Sequence, residues 1–161
     1  MKRVIRWAAL ALMLMPAMVT AQDFEAGLAA AQAGDYATAL REWTPLAEQG
    51  EAYAQALLGV MYANGQGVPQ DDAEAVKWYR LAAAQGDADA QYNLGVMYAK
   101  GQGVPQDFIA AHMWFNISGA NGDSQAAAKR DAVAAKLSPA DLSTAQRSAK
   151  VCMASNYRDC D

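Results

Sequence analysis

Between residues 51 and 122 the apolar positions fall three to four residues apart, in runs that close on a glycine. Ala54, Leu58, Val60-Met61 and Tyr62 keep that spacing and predict a helix over 51–63. Asn64-Gly65 stops it, because Gly accepts the left-handed backbone that a helix end requires. Gly67 and Pro69 then impose an extended loop. Asp71 or Asp72 is the predicted cap of a second helix, where a carboxylate meets unpaired backbone N–H groups and the positive dipole end. That helix runs to about residue 85, carries Ala75, Trp78, Tyr79, Ala82 and Ala83, and ends at Gly86.

The same order then returns. Residues 51–86 and 87–122 align without a gap at a period of 36, and 20 of the 36 positions are identical. Leu58-Gly-Val-Met-Tyr-Ala63 recurs as Leu94-Gly-Val-Met-Tyr-Ala99, Gly65-Gln-Gly-Val-Pro-Gln-Asp71 as Gly101-Gln-Gly-Val-Pro-Gln-Asp107, and Trp78 as Trp114. A period of this length marks a solenoid, in which each unit buries its apolar face only against its neighbours. Such chains offer an extended surface to a partner rather than a catalytic cleft. Gly59 and Gly95 fall inside the first helix of each unit, where Gly costs ~1 kcal/mol relative to Ala. A close approach of the second helix would offset that cost, with Trp78, Trp114, Tyr62 and Tyr98 filling the remaining space.

Half-matches extend the array on both sides. Gly34 to Gly50 reads as another second helix, with 23–33 as its first helix and no Gly-x-Gly-Val-Pro insert between them. After Gly122, residues 124–137 read as a degenerate first helix. Ser138-Pro139-Ala140-Asp141 opens a last helix, to about Ala154, with Ser at the cap and Pro at the first turn. The predicted class is therefore all-α: a leading unit at 23–50, repeats at 51–86 and 87–122, a degenerate capping unit at 123–155, and a tail at 156–161.

Ala-x-x-x-Leu-Gly-x-x-Tyr, then Gly-x-Gly-Val-x-x-Asp, then Ala-x-x-Trp and a closing Gly resemble the Sel1-like repeat, a cousin of the tetratricopeptide repeat. The resemblance implies an α/α superhelix of right-handed coil. It also implies a non-enzymatic adaptor that binds a protein or peptide segment in a concave groove, and exported bacterial members are linked to envelope regulation and host interaction. In tetratricopeptide-like folds the first helix of each unit lines the concave face. Carried over by offset from the helix glycine, this picks out Tyr53, Ala56, Val60, Ala63 and Asn64, then Asp89, Tyr92, Val96, Ala99 and Lys100. The leading unit adds Phe24, Leu28 and Gln32. Tyr53/Asp89, Ala56/Tyr92 and Asn64/Lys100 differ between units whose core positions agree, so packing does not hold them alike. Tyr53 and Tyr92 stand out, because aromatic anchors tend to carry interface energy.

The ends change the picture of where the chain works. Lys2, Arg3 and Arg6 precede an apolar run of 13 residues, Trp7 to Val19, and Val19-Thr20-Ala21 fits the small-x-small cleavage rule. Residues 1–21 therefore read as a Sec-type signal peptide of a bacterial exported protein, periplasmic or secreted, with 22–161 as the repeat domain. The run is shorter than the ~20 residues of a spanning helix, so no stable membrane anchor is expected after cleavage. Residues 22–161 keep 10 Lys+Arg against 17 Asp+Glu, a net charge of −7, which argues against nucleic acid as a partner. Cys152 and Cys160 are the only cysteines; an even count in an exported chain suggests a disulfide, with free or metal-bound thiols as the rival.

No catalytic constellation is visible, and neither cofactor nor metal is expected. His112 is the sole histidine and has no nucleophile in an evident dyad with it. Gly65-x-Gly67 follows no strand and lacks a third glycine. Asp71-Asp72-x-Glu74 reads as helix capping rather than a metal cluster, since the second unit keeps only Asp107. Asn116-Ile-Ser118 is a formal glycosylation sequon, discounted by its place in mid-helix. Some cysteine-rich Sel1-like proteins have been ascribed wall hydrolase or penicillin-binding activity. This chain lacks a cysteine pair in every repeat and a Ser-x-x-Lys nucleophile, so peptidoglycan binding or hydrolysis stays the alternative to an adaptor.

Overall fold

The computed structural model describes the backbone of residues 17–160 and the side chains of 23–160. The expected signal segment up to residue 16 lies outside the described residues, and the first helix begins within its end, at Ala17. Eight helices and no strand make up the described residues: α1 (Ala17–Gln32), α2 (Tyr36–Glu48), α3 (Ala52–Asn64), α4 (Asp72–Ala83), α5 (Ala88–Lys100), α6 (Phe108–Ala120), α7 (Ala126–Ala134) and α8 (Pro139–Ala154). Each helix from α1 to α6 packs on the one that follows it in the chain, which is the contact pattern of a solenoid. The odd-numbered helices are the first, or A, helices of their units and the even-numbered ones the B helices.

The boundaries follow from local chemistry. Asp35, Asp71, Asp87 and Asp107 each accept a hydrogen bond from a backbone N–H in the first turn, at 3.1, 2.9, 2.7 and 3.0 Å for Thr38, Glu74, Ala90 and Ala110. At the other end of α3, Gly65 takes φ +64°, a left-handed value that turns the chain into the loop.

Inside each of the first three units an aromatic ring of the B helix lies against the A-helix glycine. A β-carbon on Gly59 would meet the Tyr79 ring at 2.5 Å, and one on Gly95 the Phe115 ring at 2.7 Å; on Gly27 it would overlap the Trp43 indole. Tyr79, not the expected Trp78, therefore fills the glycine notch, and Phe115 does so in place of Trp114. Neighbouring positions on a helix point about 100° apart, so only one of two adjacent rings faces the partner helix of its own unit. The tryptophans instead close the seams between units. Trp78 packs on the cluster of Trp43, Leu46, Leu58 and Met61, and Trp114 joins Ala82, Leu94 and Met97.

Two buried glutamines repeat at the same period. Gln55 Nε2 donates to Ala47 O at 2.9 Å, and Gln91 Nε2 to Ala83 O at 3.1 Å. Each thus adds a side-chain donor to a carbonyl in the last turn of the preceding B helix, which also accepts from the backbone N–H of Gly50 or Gly86 at 3.0 Å. Their oxygens in turn accept from Gln85 Nε2 and Asn121 Nδ2.

The last unit departs from the pattern. α8 packs on α6, while α7 and α8 share little contact. Cys152, fully buried in α8, is bonded to Cys160 across a separation of 8 residues. The bridge folds the tail back so that Tyr157 packs against Gly86 and donates its hydroxyl to Asn121 Oδ1 at 2.9 Å.

Candidate functional site

The A-helix face is built from side chains that the packing leaves over. In α3, Ala54, Leu58 and Met61 turn inward, which leaves Tyr53 and Asn64 exposed and Val60 half-buried at the edge of the core. In α5, Ala90, Leu94 and Met97 do the same, leaving Asp89, Val96 and Lys100 accessible. Tyr53 is 50% exposed and lies 5.4 Å from the Phe24 ring, which rests in turn on Trp43 at 6.0 Å. Tyr92 is half-buried, 5.5 Å from Phe115. Ala56 is only 5% exposed and packs in the core beside Val76 and Tyr79, so it presents little surface. Asp89 is exposed at the first turn of α5.

Two hollows mark this face. The first, about 280 Å3, is lined by Val60, Ala63, Asn64, Asp72, Tyr79, Asn93, Val96, Met97, Lys100 and Gln102. The second, about 250 Å3, is lined by Val96, Ala99, Lys100, Phe108, Phe115, Lys129, Ala132, Val133 and Lys136. All nine positions of the second fall 36 residues after a lining position of the first. The two are the same place in successive units and share Val96 and Lys100 as a common wall. The structure thus brings Val60, Asn64, Val96 and Lys100 together, whereas nothing in it joins Tyr53 or Asp89 to them.

Phe108, Lys129 and Lys136 belong to this face and were not among the residues expected from sequence. They come from the start of a B helix, from α7 and from the turn after it, where repeat identity has faded; the offset of 36 applied to Val96 and Lys100 leads to Ala132 and Lys136. The Lys136 ammonium lies 4.8 Å above the centre of the Phe108 ring.

Elsewhere the geometry is structural. His112 is 2% exposed, and its Nδ1 makes no hydrogen bond among the described residues. Burial and the nearby Arg130 hold its imidazole below its ordinary pKa, against an upward pull from Asp131. Burial likewise raises the Tyr79 phenol. Ser118, the third residue of the sequon, is fully buried and donates to Ala88 O at 2.8 Å. Among the described residues no group of three or more His, Cys, Asp or Glu could hold a metal ion, and no helix is long and apolar enough to cross a membrane.

The family model described as Sel1 repeat matches residues 52–87 and 88–123. These two units are Sel1 repeats. Outside them lie α1 and α2 before the repeats and α7 and α8 after them. No curated protein matches the chain. A protective antigen present in uropathogenic Escherichia coli strains, displaying an SLR fold, superposes with a TM-score of 0.80 at 26% identity over 86% of this chain and 31% of its own. A Sel1 repeat protein from Oxalobacter formigenes superposes with a TM-score of 0.64 at 32% identity, over 66% of this chain and 44% of its own. This chain therefore spans less than half the length of either. Sel1 repeat proteins generally mediate protein–protein interaction and typically serve as non-catalytic scaffolds. The Cys152–Cys160 disulfide suits a non-reducing environment outside the cytoplasm.

Proposed function

We propose that this chain is a non-enzymatic adaptor, periplasmic or secreted, that holds a protein or peptide segment along its concave A-helix face. The observation that carries the reading is the pair of hollows one repeat apart, built on the same nine positions but with different chemistry. A packing requirement would hold both linings alike, as it holds Leu58/Leu94 and Met61/Met97. The disulfide fits an exported protein, and a structural neighbour that is a protective antigen fits work at the envelope or against a host.

The test is affinity capture from periplasmic and culture-fluid fractions, with wild type beside a Tyr53→Ala/Tyr92→Ala variant. A thermal melt confirms that the variant is folded, since Tyr92 packs on Phe115. A partner captured by the wild type and lost by the folded variant is the expected result. The same partner on both proteins, kept as well by an Asn64→Ala/Lys100→Ala variant of the hollows, would move the site to the B helices or loops. Capture of no protein by either would turn the search to peptidoglycan fragments.

A further inference from the structure

The second hollow differs from the first in a directed way. Where the first has Asn64, Asp72 and Asn93, the second has Lys100, Phe108 and Lys129, and Lys136 completes its rim. A polar hollow that includes a carboxylate becomes an apolar one ringed by three ammonium groups. We propose that the hollow between α5, α6 and α7 docks an acidic peptide segment of the partner. One large apolar side chain sits on Phe108, Phe115 and Val133, and the carboxylates beside it pair with Lys100, Lys129 and Lys136. The inference rests on the groove reading above and names the chemistry of its occupant.

Three facts support it. The chain as a whole is acidic, with a net charge of −4, yet three of the five lysines between residues 17 and 160 gather at this one hollow. None of the three forms an ion pair among the described residues, although Lys77, Arg41 and Arg130 each do. No Asp or Glu lines the hollow to neutralise them. Like charges brought together repel, and an anionic occupant relieves that cost. Size selects the kind of occupant: about 250 Å3 is smaller than the roughly 300–1,000 Å3 of small-molecule sites and suits a single anchoring side chain.

The test is fluorescence anisotropy of the full chain with labelled ten-residue peptides. One carries a central Phe flanked on each side by two Glu; its counterparts replace the Glu with Gln, or the Phe with Ala. The acidic Phe peptide should bind at least about tenfold more tightly than either counterpart, and less tightly as salt is raised. A Lys100→Asn/Lys129→Asn variant, which places the first hollow's residues in the second, should lose about tenfold in affinity for it. Both positions are exposed, so folding is not at stake. Equal binding of the Glu and Gln peptides, no effect of the double variant, or no binding of the acidic peptide would each overturn the inference. If the Tyr53→Ala/Tyr92→Ala or the Asn64→Ala/Lys100→Ala variant nonetheless loses the captured partner, the groove reading survives that failure; if both variants keep the partner, both readings fall.

Discussion

At Gly59 and Gly95 a single methyl group decides how closely two helices approach. An Ala at 95 would have to displace the Phe115 ring, because its β-carbon falls 2.7 Å from that ring in a packed interior. Gly95→Ala should therefore lose ~1–3 kcal/mol of stability in a urea melt, despite the better helix propensity of Ala. Gly119 is the internal control: it is exposed in α6, and a β-carbon there would meet only Ala126 at 3.6 Å. Gly119→Ala should gain up to ~1 kcal/mol. Equal effects at the two sites would refute the notch. The folded pKa of His112 is held down by burial, so the unfolded chain takes up a proton that the folded one resists. Stability is then full above the ordinary histidine pKa of ~6.5 and falls as pH drops below it. His112→Val copies the buried Val76 one period earlier and should flatten the loss of Tm between about pH 7.5 and about pH 5 relative to wild type.

Among the elements, the end of the array differs most from its middle. The repeated pattern places α3 to α6 to within about two residues, because the two copies confirm each other's caps and stops. The sequence also locates α8 (Pro139–Ala154), whose Ser138 Oγ accepts from Asp141 N at 3.1 Å as the Ser-Pro-x-Asp pattern predicts. α7 is shorter than the expected 124–137, since Asp123 caps it and the chain turns after Ala134. The aromatic seated in each glycine notch was not legible, because Trp78-Tyr79 and Trp114-Phe115 offer two large rings in a row and composition does not choose between them. Nor was the packing of α8 on α6, which depends on surfaces that no longer follow the repeat. The disulfide holds this irregular end. Cys152→Ser/Cys160→Ser should lose ~2–3 kcal/mol, the loop-entropy value for so short a closure. Reductant should lower the Tm of the wild type and leave that of the double variant unchanged.

For the whole molecule, the stack sets how far the candidate face extends. α3, α5 and α7 stand one repeat apart, so their accessible side chains form a row that no single unit could present. Half of that row was legible from sequence, through Val60, Asn64, Val96 and Lys100. The other half, Phe108, Lys129 and Lys136, comes from elements where the repeat has drifted, which is also where the chemistry changes. On the proposed function, this row, and not the B-helix side, meets the partner. The most direct measurement is site-specific photo-crosslinking in living cells of the source organism, one position at a time. A photoreactive residue at 64, 100 or 129 should give a covalent adduct to one protein. The same residue at the exposed B-helix positions 77, 81 and 151 should give none. Adducts from 77, 81 or 151, with none from 64, 100 and 129, would place the partner on the opposite side and contradict the account.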